Sequence, residues 1–211
     1  MINPAKRSSA AMAADRADVA SMRAALGLLW PIYAVLIILS VGTFALSEGG
    51  PFLLQANGMT RATIQGVILS VGQLPAILTA SAYGFMRRYV DDRMILTASA
   101  VLMGLGLMVI VPIRDPAILT VALVIFGLGS GLKAPAVSSA LLAGAPGNVR
   151  AAAAGLIFSA IFLGQFLTPL LIEGLDRIVA IHGTFVVFGV ALLLVAVFVY
   201  FGGIGKALPK Q

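Results

Sequence analysis

Six stretches of this chain are each about 20 residues long or longer and almost free of charge, and this pattern constrains the fold more than any other feature. A helix rises about 1.5 Å per residue, so about 20 apolar residues cross the hydrocarbon core of a bilayer. Within lipid a segment must satisfy its own backbone N–H and C=O groups, which a helix does. The stretches predict helices over 24–54, 63–86, 94–113, 117–143, 149–172 and 180–204, the first of them bent near Gly49-Gly50-Pro51. The composition agrees: 60% of residues are hydrophobic, 10% are charged, and the mean hydropathy is +1.06. A soluble domain is about half apolar and about a quarter charged. The expected class is an all-α, multi-pass membrane protein with the lipid bilayer as its solvent.

The separators read as turns: "NGMT" at 57–60, "RRYVDDR" at 87–93, "RDP" at 114–116 and "GAPGN" at 144–148, with "EGLDR" at 173–177 opening the last loop. Short connections make successive helices antiparallel neighbours. Six crossings put both termini on one side. That side collects Lys6, Arg7, Arg16, Arg23, Arg87, Arg88, Arg93, Arg150, Lys206 and Lys210, against Arg61, Arg114 and Arg177 on the other. Cytoplasmic loops accumulate Lys and Arg, so both termini are expected in the cytoplasm, with the protein in the inner or plasma membrane. Residues 1–23 are polar and no cleaved signal peptide is expected.

One basic residue belongs to neither side. Lys133 stands in "GLGSGLKAPAVSS" (127–139), about 15 Å from the cytoplasmic end of the fourth predicted helix. A lysine at that depth costs at least about 2.5–3.5 kcal/mol on insertion scales. It reads as a cavity residue that binds an anionic group or exchanges a proton, or as a lysine facing a wet bundle interior. No acid stands mid-span to pair with it. Gln73 and Gln165, mid-span in the second and fifth helices, can bind a substrate or tie helices together. Pro75 and Pro169 follow them and permit bending. Glu48, toward the outer end of the first helix, is a further cavity candidate or a solvated helix end. Arg87, Arg88, Asp91, Asp92 and Arg150 are gating candidates, or ordinary topology-setting charges. Polar residues in the first, second, fourth and fifth helices predict that these face inward, with the third and sixth facing lipid. That polarity repeats every three helices.

Three stretches carry a family resemblance. "SEGGPFLLQANGMTRATIQGVILSVGQLPAILTASAYGFMRR", "GFMRRYVDDRMIL" and "GLGSGLKAPAVSSALLAGAPGNVRAAAAGLIFSAIFLGQFLTPLL" resemble the carboxy-terminal half of a drug-efflux-like major facilitator superfamily transporter. In its stronger form the loop motif has an acid four residues after a glycine; here Arg88 follows Gly84, and Asp91 and Asp92 come later. The resemblance covers roughly residues 24–203. It implies a six-helix bundle of two inverted three-helix repeats, half of a twelve-helix carrier, with a cavity between bundles near the midplane. It further implies that residues 1–23 correspond to the central linker, 24–204 to the bundle and 205–211 to a cytoplasmic tail. The expected function is transmembrane transport of a small solute by alternating access. The expected partner is an amino-terminal-half bundle or a second copy. A truncated, non-transporting or partner-binding membrane protein is the alternative.

Other classes find little support. With no cysteine there is no disulfide or thiol chemistry, and no metal or cofactor is expected. His182 is the single histidine, so a Ser–His site or H-E-x-x-H motif is lacking, and no enzyme is expected. The net charge of +6 comes without a basic patch interleaved with aromatics, which argues against nucleic acid. Gly127, Gly129 and Gly131 form a GxGxG run, but inside a membrane span it predicts close helix packing rather than a dinucleotide loop.

Overall fold

In a computed structural model of the chain, residues 4–202 are described, and all regular structure among them is helical. The elements are α1 (Pro4–Phe44), a π turn (Ala45–Gly49), α2 (Gly50–Ala56), α3 (Ala62–Met86), α4 (Asp92–Ile110), α5 (Pro116–Gly144), a 3₁₀ turn (Gly147–Val149) and α6 (Arg150–Phe201). Five helical stretches are long and apolar enough to cross a membrane: Val19–Ala56, α3, α4, α5 and α6. The expected tail, 205–211, lies outside the described residues.

Local chemistry explains several boundaries. α1 begins at Pro4, so from there the polar segment before Ala24 is helical. The bend near Gly49-Gly50-Pro51 is a widened turn. Pro51 has no N–H to return to the carbonyl of Ser47. The π turn absorbs that loss just before it, and the Gly50 N–H reaches the Leu46 carbonyl. The "RDP" turn is a helix start: Asp115 Oδ1 accepts from the N–H groups of Ala117 and Ile118 at 2.9 and 3.1 Å, and Pro116 occupies the first position.

The loop expected at "EGLDR" is corrected. Glu173 to Arg177 is helical, with an ion pair between the two residues one turn apart. Charge marked the exit from the apolar region, but the helix continues past it. The interruption comes at Ala180, with φ 56° and ψ 168°. That region is nearly restricted to glycine and stores about 1–3 kcal/mol of strain in an alanine. The break folds α6 back on itself. Gly164 packs against Ser40 and the Ile37 carbonyl of α1, while Leu192 packs against Gly42 of the same helix. On a straight helix Gly164 and Leu192 would stand about 40 Å apart. Near the bend, Ile172 and Phe185 both close on Gly49.

The helices touch in a definite order. α5 lies between α3 and α4. Gly127 and Gly131, one turn apart, press against the Gly72 and Ala76 carbonyls of α3. Gly129 points to the opposite face, where an added Cβ would stand 2.7 Å from the Ser99 carbonyl of α4. The glycine run is thus a packing device on two faces at once. α4 meets the second leg of α6 where Gly104 and Gly189 face each other. α1 packs on both legs. Among the membrane-length stretches α3 is the most exposed, with 17% of its most apolar stretch buried, against 50% for α4. Apolar content alone does not rank burial; the glycines of "MGLGLM" let α5 and α6 close on α4.

Candidate functional site

Lys133 sits mid-length on α5 with 7% of its surface exposed. Its Nζ donates to Thr43 Oγ1 of α1 at 2.8 Å, and Thr43 Oγ1 donates to the Leu39 carbonyl at 2.9 Å. Among the described residues no carboxylate lies within ion-pair distance of Lys133. An ammonium has three donors, and Thr43 is the acceptor seen. A buried cation with one neutral partner is incompletely compensated.

Glu48 is the sequence-predicted residue that lines a described cavity. This space, of about 450 Å³, lies where the π turn, α2 and the two legs of α6 converge. Its acids are Glu48, Glu173 and Asp176; its apolar walls are Phe52, Pro169, Ile172 and Ile181. Gln73 is half-buried on α3, and Gln165 is exposed on the first leg of α6. Neither lines that cavity, and no hydrogen bond joins either to Lys133. Each follows a similar segment, at a different spacing: "GVILS" at 66–70 ends two positions before Gly72-Gln73, with Pro75 two after the glutamine, and "GLIFS" at 155–159 ends five positions before Gly164-Gln165, with Pro169 four after. Both glycines lie in helix–helix seams, against Leu123 and Ser40 respectively.

At the opposite end of the bundle the gating candidates separate. Asp92 opens α4 and its side chain is 8% exposed. Its Oδ1 accepts from the Tyr83 hydroxyl at 2.6 Å and meets Arg87 Nε at 3.3 Å; its Oδ2 accepts from Ser139 at 2.7 Å. One carboxylate therefore ties α3, α4 and α5. Next to it, Arg93 turns the other way, donating to the Tyr200 carbonyl with its guanidinium 5.0 Å from the Tyr200 ring centre. Arg88 and Arg150 are exposed, and Asp91 stands at the helix start without a side-chain cap.

A comparable node closes the Ala180 end. Asn57, 7% exposed, donates through Nδ2 to the Ile113 carbonyl at 2.9 Å, and its Oδ1 faces His182 Nε2 at 2.8 Å. With Oδ1 as acceptor, that imidazole nitrogen is the donor. Thr43, Tyr83 and Ser139 were given no role in the sequence, because isolated hydroxyls in apolar helices resemble filler, and Asn57 was read only as part of the "NGMT" turn. Their available signal was position, a hydroxyl or amide where lipid offers no hydrogen-bond partner.

No protein-family model and no curated protein matches this sequence.

Proposed function

We propose that this chain forms one six-crossing bundle of a facilitator-type secondary transporter and moves a small solute by rocking against a second bundle. The observation that carries this reading is the exchange symmetry of helix contacts. α6 is too long for one crossing, at about 78 Å, and its fold at Ala180 divides it into two legs. Exchange α1 with α5, α3 with the first leg, and α4 with the second leg. The α5–α3 seam then maps onto the α1–first leg seam, and α5–α4 onto α1–second leg. The α4–second leg and α1–α5 contacts map onto themselves. The similar "GVILS" and "GLIFS" segments fall on exchanged helices. Such a pattern supports two inverted three-helix units of the kind found in secondary carriers.

The exposed faces support a second bundle. α3 and the first leg flank the molecule, and the first leg presents Phe158, Phe162 and Phe166 outward. Gln165 lies beside them without an internal hydrogen bond among the described residues. Both termini are assigned to the cytoplasm on the arginine distribution. In this reading Lys133 is the charged group of the transport path, and the Asp92 node holds the cytoplasmic ends of α3, α4 and α5 together.

The test is uptake of labelled solutes into proteoliposomes under an imposed proton or membrane potential gradient. The chain is assayed alone and with a supplied amino-terminal-half bundle. Saturable uptake that falls at least tenfold in Lys133→Ala is the expected result. Uptake unchanged in Lys133→Ala removes Lys133 from the path. Absence of uptake in both preparations favours the non-transporting alternative.

A further inference from the structure

α3 and the first leg of α6 each turn a stripe with polar groups away from the bundle. On α3, Gly66, Ser70, Gln73, Ile77, Ser81 and Gly84 follow one another at intervals of three and four residues, so they lie on one face. All are exposed except the half-buried Gln73. The buried residues of this helix, Ile68, Gly72 and Pro75, lie on the opposite face, where Gly72 meets Leu123 of α5. Val67, Val71, Leu74 and Leu78 form a separate exposed strip that suits lipid. On the first leg, Gly155, Ser159, Phe162 and Phe166 make the corresponding outward stripe, with Gln165 at its margin, and all five are exposed. Lipid offers no partner to the amides of Gln73 and Gln165, and neither is hydrogen-bonded among the described residues. Gly66, Gly84 and Gly155 also differ from the seam glycines: nothing lies within 4 Å of a Cβ built on them.

The two stripes complement each other. In the six-crossing reading α3 runs inward from the Ala180 end and the first leg runs toward it, so they are antiparallel. With Arg61 and Glu173 taken as level, depth follows from about 1.5 Å per residue. Phe166 then stands about 10 Å deep, between Gly66 at about 7 Å and Ser70 at about 13 Å. Gln165, at about 12 Å, is level with Ser70. Ile77, at about 24 Å, falls between Ser159 at about 21 Å and Gly155 at about 27 Å. Large side chains meet gaps between small ones, and an amide meets a hydroxyl. Charge agrees at the outer end, where exposed Arg61 heads α3 and exposed Glu173 and Asp176 stand at the end of the leg. At the cytoplasmic end exposed Asp91 follows α3 and exposed Arg150 begins the leg, with Arg88 adding a like charge. Within one copy α3 packs on α5 and the first leg on α1, so the stripes belong to different flanks. A twofold rotation brings them together twice.

We propose that a second copy of this chain docks on this face, each α3 against the first leg of the other copy, with Gln73 and Gln165 enclosed in the joint. The inference rests on the six-crossing carrier reading and names its second bundle.

The experiment reconstitutes the full chain in liposomes as two differently tagged forms, Ser70→Cys and Phe166→Cys. The chain has no thiol of its own, and each form carries one, so a cross-link between the tags joins two copies. Leu194→Cys, exposed on the second leg, replaces Phe166→Cys as the control. The expected result is cross-linking of positions 70 and 166 at least fivefold above that of 70 and 194. Energy transfer between copies labelled at Gly147→Cys, followed as lipid is added, measures the strength of association. Gly66→Leu, whose side chain has room in a single copy, is expected to weaken association at least tenfold. Arg61→Glu weakens it as well, and Glu173→Arg in the same chain restores it. Circular dichroism and size exclusion confirm that each variant is folded. The proposal is overturned if the copies stay apart in lipid, if position 70 cross-links equally to 166 and 194, or if folded Gly66→Leu associates like the wild type. Copies that stay apart yet take up solute with a supplied amino-terminal-half bundle sink the dimer and keep the transport reading. Dimers that take up no solute do the reverse.

Discussion

Lys133 carries a charge where a methionine would pack without a desolvation penalty. If the lysine serves as a tie between α1 and α5, removing it loosens the bundle. If it is retained for chemistry on a solute, removing it relieves an uncompensated buried charge. Lys133→Met separates these, because it keeps the length of the side chain and discards the ammonium. Thr43 is not orphaned by the change, since its hydroxyl keeps the bond to the Leu39 carbonyl. Replacing buried ionic groups with apolar ones of similar volume is often neutral or stabilising by about 1–4 kcal/mol. The expected outcome is a melting temperature in detergent at or above that of the wild type, together with lost uptake. A clear drop in melting temperature would make Lys133 a structural tie.

At the scale of elements, the seams are set by glycine more than by hydrophobic pattern. A Cβ at Gly127 would collide with the Gly72 carbonyl, a backbone atom that cannot rotate away. Gly66 on α3 has nothing within 4 Å of its Cβ direction. Gly127→Ala is therefore expected to destabilise the protein by about 1–3 kcal/mol, as overpacking does. Gly66→Ala is expected to be neutral or to gain up to about 1 kcal/mol from helix propensity. Unfolding in mixed micelles measures both, and equal effects would refute the packing role of the glycine run. The same seams show what was legible in the sequence. Apolar length located α3, α4 and α5 within a few residues, because transfer to lipid acts on the whole segment. It misplaced the last turn, since the ion pair of Glu173 and Arg177 sits as well on a helix surface as in a loop. It did not rank the burial of α3 and α4, which depends on backbone approach rather than on side-chain polarity. Lys133 was visible as a charge in an apolar run. The Glu48 cavity was not, because it needs the π turn and the bend at Ala180 to bring residues 48–52 and 169–181 together.

For the whole molecule, the decisive quantity is the number of crossings, and the absence of cysteine makes it measurable. Single cysteines can be placed at exposed positions with no background thiol. Tyr89→Cys, Gly147→Cys and Phe201→Cys sample one end of the bundle, and Thr60→Cys and Gly174→Cys the other. If α6 crosses once, Gly147 and Phe201 lie on opposite sides of the membrane. If it turns at Ala180 and crosses twice, they lie on the same side and Gly174 on the other. A membrane-impermeant maleimide applied to right-side-out and inverted vesicles reads this directly. The expected result is labelling of positions 89, 147 and 201 from the cytoplasmic side and of 60 and 174 from the outside. The arginines agree: Arg87, Arg88, Arg93 and Arg150 gather at the first end, and Arg61, Arg114 and Arg177 are spread over three connections at the second. Phe201→Cys labelled together with Gly174→Cys would leave five crossings. It would break the exchange between the two three-helix units and remove the main support for a carrier bundle.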